Sequence, residues 1–370
     1  MFLRRRAGGR SRRGLVLPPP GVVLVAAMLA GAMPAAAEQG LDIRPARVAR
    51  VDGKPERFVV CDQPGGTPVV GVVLGRRVVS VAGALDDRPS TLDPKRCESP
   101  VSARPSVQCS LGRAPGAVHV DVRLAERARR AGQGIFGERW EYRSLRLRRL
   151  KGEESVSWTD HEIDLPAEVL FEDRAVRHVV PAGQPSTDAC GTGFLVIRSH
   201  VRHGAALVLY ALAPSTGLET RAVSEPLGEP ERWRDVIGTV DIVGDGRLRI
   251  VEIAEPHQLG RLQLDEVRDG RIEPVATLDG YTSHRFGTVR QGIGALLDVT
   301  GDGVADIVVP TRDWRCLAAV TARGGVLREA GRLSCSDALI VDVLIADVNG
   351  DGQVDLVAAR ADGTIEAWIR

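Results

Sequence analysis

Two stretches of this chain place oxygen donors at alternate positions between apolar runs. The first carries Asp298, Thr300, Asp302 and Asp306, with the backbone carbonyl of Val304 in the same series. The second carries Asp347, Asn349, Asp351 and Asp355, with that of Gln353. Carboxylates at loop positions 1, 5 and 9, a hydroxyl or amide oxygen at 3 and a carbonyl at 7 match the hard-oxygen shell that a calcium ion takes. Gly303 and Gly352 permit the sharp turn that points alternate residues inward. The competing reading is a plain Asp/Gly turn, because these residues dominate turns without any metal. A third stretch, Asp241 to Val251, follows the same pattern but has Val243 and Arg249 at ligand positions. Arginine cannot ligate and repels a cation, so this loop is expected to hold no ion.

Other constellations carry less. His200 and His203 flank an expected hairpin turn and read as solvated turn residues rather than a metal pair. Trp158, Asp160, His161 and Glu162 group acid, base and aromatic, but a strand would point Asp160 and His161 to opposite faces. Arg139 to Lys151 offers a basic strand face to an anionic polymer, although a solvated face explains it equally. No Gly-x-Ser-x-Gly elbow, His-Glu-x-x-His pair or phosphate loop is present. No catalytic residue is assigned.

The elements that must position the Asp loops repeat with them. The two intact loops are 49 residues apart, and the third lies 57 residues before the first of them. Each reads strand, loop, strand, and then a hairpin, such as Cys316 to Thr321, a turn at Gly324-Gly325, and Val326 to Leu333. Four short strands per period of this length suit a propeller blade. An earlier unit without the loop spans Gly193 to Tyr210. The last unit has only three strands before Arg370, and its bare edge would invite aggregation. Leu41 to Arg44 and Ala46 to Val51 are extended segments expected to complete it. Residues 52–185 carry no Asp loop. Phe58 to Val60, Val69 to Val73, Val78 to Val81 and Tyr142 to Leu150 read as strands, and Pro89 to Pro115 as loop. Diverged blades and a small β subdomain both fit this region. No linker interrupts 38–370, so a single all-β propeller domain of about seven four-stranded blades is expected, with six nearly as well supported.

The Asp-x-[Thr/Asn]-Gly-Asp-Gly-x-x-Asp-[Ile/Leu]-Val segments resemble the FG-GAP/VCBS repeat family over about 235–370, and Phe286-Gly287 resembles its Phe-Gly element. Val309-Pro310 and Ala358-Ala359 depart from the Gly-Ala-Pro step expected after the loops. The resemblance implies a β-propeller and calcium. It implies no single activity, because one fold carries adhesion modules, lectins and enzymes.

Composition places the chain outside the cytoplasm. Arg4, Arg5, Arg6, Arg10, Arg12 and Arg13 precede an apolar run from Gly21 to Ala32, and Ala35-Ala36-Ala37 offers a cleavage site before Glu38. Residues 1–37 are therefore expected to be an export signal, and the mature protein periplasmic or secreted. An uncleaved anchor is the alternative, although the run is short for a bilayer. Ser11-Arg12-Arg13-Gly14-Leu15-Val16 resembles a twin-arginine signal, and an ordinary basic leader fits as well. Removing the leader takes six arginines and no acids from 49 basic and 48 acidic residues, leaving a net charge of −5. That balance disfavours nucleic-acid binding. Six cysteines in an exported chain favour disulfides. A hairpin turning at Gly324-Gly325 sets Cys316 almost opposite Cys335, so these are expected to bond. Cys97 with Cys109 would close the Pro-rich loop, leaving Cys61 with Cys190. The functional expectation is an extracytoplasmic, calcium-stabilised binding or scaffold module for an unidentified protein or glycan, with no transmembrane segment in the mature chain. A propeller enzyme acting on extracellular polysaccharide and a glycan-binding lectin are the alternatives.

Overall fold

The computed structural model describes residues 45–63, 68–99, 106–111, 118–129, 134–137, 140–149, 161–179, 193–213 and 217–369. They form an all-β arrangement of antiparallel sheets. After β1 (Arg47–Arg50), one sheet contains β2 (Arg57–Cys61), β3 (Val69–Leu74), β4 (Arg77–Ser80), β5 (Thr91–Leu92) and β6 (Cys97–Glu98), in the order β5-β4-β3-β2-β6. The expected strand at Val78 to Val81 stops short. Ser80 accepts a hydrogen bond from Gly83 N at 3.2 Å and caps the one-turn helix α1 (Val81–Leu85). The stretch expected as loop from Pro89 also holds β5, β6 and β7 (Ser106–Leu111). Prolines punctuate it without preventing these short edge pairings.

The largest sheet continues from β7 through β8 (Val118–Arg129), β9 (Trp140–Arg149) and β10 (His161–Asp164). It then takes in β11 (Val169–Phe171), β12 (Arg177–Val179), β13 (Gly193–His200), β14 (Gly204–Ala213) and β15 (Gly217–Ser224). Its last strands are β16 (Arg234–Val240), β17 (Arg249–Ala254), β18 (Arg261–Arg268) and β19 (Arg271–Asp279). Two thin seams join its three antiparallel groups. Phe171 pairs with Tyr142, and Val223 and Ser224 pair in parallel with Arg271 and Ile272.

The next sheet is β20 (Ala295–Leu297), β21 (Asp306–Pro310), β22 (Cys316–Thr321) and β23 (Arg328–Cys335). The final one orders β24 (Ile340–Ala346), β25 (Asp355–Arg360) and β26 (Thr364–Trp368) as β24-β25-β26, with β1 on the outside. Arg47 lies opposite Ala367 and Arg50 opposite Thr364. The segment Ala46 to Val51 therefore completes the C-terminal sheet, as its extended sequence suggested. Leu41 to Arg44 lie outside the described residues.

The period of two along each strand explains how consecutive sheets stack. In β25, Leu356 and Ala358 pack with Val308, Leu317 and Ala319 of the preceding sheet. Val357 and Ala359 face the other way, onto Phe58, Val70, Val72 and Val79. In β21, Ile307 and Val309 join Val251, Ile253, Leu262 and Leu264. Further layers join Leu195 and Leu207 to Trp233 and Ile250, and Val122 and Leu147 to Phe194 and Val208. Strands buried on both faces read as unbroken apolar runs, which is the pattern of 356–359. No hydrophobic cluster among the described residues joins β2–β6 to β8 or β9.

Two cross-strand disulfides are present among the described residues. Cys316 lies opposite Cys335 and bonds to it, as the hairpin register required. Near the turn the pairing is Thr321 with Arg328, and two register shifts along β22–β23 bring the cysteines into line. The other expected pairings are corrected. Cys61 bonds Cys97, because β6 lies beside β2 and sets the two residues directly opposite. A strand of two residues gives no periodic signal, so that neighbour was hidden. Cys97 is thus unavailable to Cys109, and Cys61 to Cys190; Cys190 lies outside the described residues. No helix among the described residues is long and apolar enough to cross a membrane. The apolar run at 21–32 lies outside them.

Candidate functional site

The three Asp loops connect β16 to β17, β20 to β21 and β24 to β25, so each joins the first two strands of its group. All three share one hydrogen-bond frame. Asp298 accepts from Gly301 N at 2.6 Å and Gly303 N at 2.9 Å; Asp347 accepts from Gly350 N at 2.7 Å and Gly352 N at 2.9 Å; Asp241 accepts from Gly244 N at 2.8 Å and Gly246 N at 2.7 Å. The central carboxylates do likewise, Asp302 from Val304 N, Asp351 from Gln353 N and Asp245 from Arg247 N. The paired glycines in each loop have φ between +77° and +85°, the left-handed region that glycine enters without strain.

Position 9 separates the loops. Asp306 is buried and accepts from Val299 N and Thr300 N, both at 2.9 Å. Asp355 is buried and accepts from Val348 N at 3.0 Å. In the loop begun by Asp241 the same position is Arg249. Its guanidinium donates to both oxygens of Asp245, each at 2.8 Å, and to Glu266 Oε1 at 3.0 Å. Arg249 holds the Asp245 carboxyl far below its usual range.

The residues fit calcium in donor type. Thr300 Oγ1 is buried beside the Asp302 and Asp306 carboxylates and has no well-directed hydrogen bond. Burial pushes Asp306 upward in pKa against the N–H bonds that pull it down, so a neighbouring cation would relieve it. Asn349 Nδ2 donates to Asp351 at 2.8 Å, and its Oδ1 accepts from Asp351 N at 3.0 Å. The carboxylates are not gathered into a cage, however. No group of three His, Cys, Asp or Glu side chains converges on one point among the described residues. Asp302 is paired with Arg323, whose Nε donates to Oδ2 at 2.6 Å.

Sequence reasoning missed a second set of buried acids at the group starts. Asp173 accepts from Ile197 N at 2.7 Å and Arg177 Nη1 at 2.9 Å. Asp235 Oδ2 accepts from Ser283 Oγ at 2.7 Å and Gly292 N at 2.8 Å. Asp342 accepts from Phe58 N at 2.7 Å and Arg290 Nε at 2.8 Å, joining β24 to β2 and to the segment before β20. Gln291 Oε1 accepts from Arg174 N at 2.8 Å. Burial raises the Asp235 carboxyl to about 7. The signal was a lone charge inside an apolar run, as in Val341-Asp342-Val343-Leu344.

Beside these acids lies a cleft of about 360 Å³ lined by Glu231, Arg232, Trp233, Glu255, His257, Gln258 and Phe286. The His257 ring stacks on buried Trp233 at 5.8 Å and 3°, and meets Phe286 edge-on at 5.5 Å. His284 Nε2 lies 2.9 Å from the Thr288 carbonyl and His284 Nδ1 lies 2.7 Å from His257 Nε2. A carbonyl only accepts, so His284 carries its proton on Nε2 and accepts at Nδ1 from His257 Nε2–H. His257 Nδ1 is thereby left as a bare lone pair. Burial keeps both rings neutral, holding His257 at about 4 and His284 at about 3. Phe136, reaching in between β8 and β9, packs on Trp233 and His284, and Gly287 N donates to Ile135 O at 2.7 Å.

The weaker candidates resolve as surface chemistry. His200 and His203 sit at the β13–β14 turn with rings 4.5 Å apart, and His200 Nδ1 accepts from Arg202 N. His161 Nδ1 accepts from Leu218 N, and Glu162 pairs with Arg146 at 2.7 Å. Trp158 and Asp160 lie outside the described residues. Compared with family models and with curated proteins, the chain matches none.

Proposed function

We propose that the chain is an extracytoplasmic β-propeller of six blades, stabilised by calcium in two of its inter-strand loops and serving as a binding or scaffold module. The observation that carries this reading is the contrast at loop position 9. Three loops share one frame; in one, Arg249 lays its positive charge on the central carboxylate, and in the other two an aspartate replaces that arginine. Among the described residues the Asp351 carboxylate has no such cation, and the cation at Asp302 is the exposed Arg323, which a bound ion could displace. Asp298, Thr300, Asp302, Val304 and Asp306 would hold one calcium, and Asp347, Asn349, Asp351, Gln353 and Asp355 the other. The ion would supply charge neutralisation and fix each turn; the protein residues bring the two strands together.

Six antiparallel groups among the described residues, linked in series by five shared apolar layers, with β1 completing the C-terminal sheet, support six blades over seven. Disulfides support an oxidising compartment. The mature N-terminus is expected at Glu38. Calorimetric titration of the secreted protein should give two calcium ions per chain, in the weak range of about 10⁻⁴–10⁻³ M typical of extracellular modules. Arg249→Asp combined with Val243→Asn, which restores both missing donors, should add a third. Zero ions, or three in the parent protein, would overturn the assignment.

A further inference from the structure

We infer that Glu252 and Asp265 hold a single proton between them in the folded protein, latching the β13–β15 group to the β16–β19 group until alkali removes it. Donors and acceptors carry the inference. Glu252 pairs with Gln263, and Asp265 with Ile250, across β17–β18, so the period of two puts all four on one face. That face meets Leu195, Leu207 and Leu209 of β13 and β14 in one apolar layer. Glu252 and Asp265 are 0% and 1% exposed. Arg234 Nη1 donates to Glu252 Oε1. Gln263 Nε2 lies 3.1 Å from the same oxygen and 3.5 Å from Asp265 Oδ1. Glu252 Oε2 and Asp265 Oδ2 receive no donor among the described residues, although the two carboxyl groups are in hydrogen-bonding contact. One proton carried on Asp265 and donated to Glu252 partners both oxygens at once. Two adjacent buried carboxylates also resist ionising together.

The charges around the pair do not replace that proton. Arg234 also donates to the Ala205 carbonyl at 3.4 Å and the Glu225 carbonyl at 3.1 Å, so its one charge answers Glu252 and ties the two strand groups together. Asp235 of β16 faces the other way, onto Ser283, and Arg249 bonds Glu266 on the opposite face of β17 and β18. Arg198 of β13 keeps to the far face with Tyr210. Arg271 pairs with Glu225 at 3.5 Å and Arg261 with Asp279 at 2.9 Å nearer the surface, where Glu219 and Arg221 of β15 are exposed. Burial, reinforced by the Glu252 charge, pushes the Asp265 carboxyl well above its usual 3.8. An acid raised on folding contributes its full stability below the ordinary value and loses it as pH rises through the folded one. Release of the proton to hydroxide, giving water, leaves two negative charges facing one arginine inside the layer. The place to yield is the seam where only Val223 and Ser224 pair with Arg271 and Ile272.

The test takes the purified protein carrying Asp235→Asn, which removes the other buried acid proton, at pH values well above 6.5, where His257 and His284 are neutral folded or unfolded. Infrared difference spectra on raising pH should show the C=O stretch of one protonated carboxyl disappearing. The unfolding constant should rise about tenfold per pH unit until the band has gone. Hydrogen exchange at β15 and β19 amides should speed up as it goes. Adding Asp265→Asn, whose amide still donates to Glu252, should remove the band and flatten the slope. If that variant does not fold, Glu252→Gln takes its place: freed of its neighbour's charge, Asp265 ionises against Arg234, and the band is absent from the start. No protonated carboxyl above pH 6.5, a band that survives these substitutions, or seam exchange unchanged as the band disappears would overturn the latch.

Discussion

Asp235 shows how a single buried residue ties stability to pH. Its carboxyl is raised by burial from 3.8 to about 7, so it contributes stability fully below 3.8, and that contribution is lost as pH rises through 7. His257 and His284 act in the opposite sense. Their folded values of about 4 and about 3 lie below the ordinary 6.5, so their contribution is present above 6.5 and lost as pH falls. Between pH 7 and 5 the acid therefore offsets part of the histidine effect. Asp235→Asn keeps an oxygen for Ser283 and Gly292 and removes the proton. Chemical denaturation at several pH values should show the variant losing stability more steeply on acidification, by up to about 1.4 kcal/mol per pH unit. An unchanged slope would show that Asp235 is ionised in the folded protein at neutral pH. The Asp loops were legible as loops at this scale because their bonds are local: the first Asp of each turn accepts from glycine N–H groups three and five residues on. The buried acids were not, because Asp173, Asp235 and Asp342 acquire partners only when neighbouring sheets meet.

Among the elements, closure by β1 depends on a turn that no side chain fits. Gly363 has φ +94°, and a Cβ there would lie 2.4 Å from the Val51 carbonyl oxygen and 3.3 Å from that of Gly53. Gly363→Ala should destabilise the protein by about 1–3 kcal/mol through strain at this position and loosen the β1–β26 pairing. Hydrogen exchange at β1 amides is the check, and unaltered protection would show that the turn adapts. The disulfides give a second test. Cys316→Ser paired with Cys335→Ser should cost roughly 3 kcal/mol, since the loop closed spans 19 residues. Non-reducing peptide mapping should return Cys61–Cys97 and Cys316–Cys335, leaving Cys109 and Cys190 to each other. The β22–β23 register was legible because a Gly-Gly turn sets it within two residues. The Cys61 partner was not, because β6 is too short to display a period. Phe286 was read as part of a repeat element; its place against His257 depends on a histidine from β17–β18 and a loop from β8–β9.

At the scale of the whole molecule, each strand group from β11–β15 to β24–β26 lends one face to the group before it and one to the next along the series, so a disturbance at one Asp loop reaches two cores. The loops from Asp298 and Asp347 join the first strands of neighbouring sheets whose apolar layer includes Leu297, Val299, Val343 and Leu356. An ion bound in either loop would stabilise the folded state by mass action, because the unfolded chain presents no formed site. The loop from Asp241 needs none, since Arg249 and Asp245 already neutralise each other. The β-rich character was legible from composition and spacing, whereas the grouping of residues 52–185 was not, because those strands lack a loop to mark where each group begins. The most direct test of the account is the melting temperature with calcium and with chelator, in the parent protein and in Asp302→Ala, Asp351→Ala and Asp245→Ala. The account predicts a calcium-dependent rise that shrinks in the first two variants. In Asp245→Ala the melting temperature should fall equally with and without calcium. A parent curve unmoved by chelation, or an Asp245→Ala variant whose calcium response shrinks like the others, would contradict it.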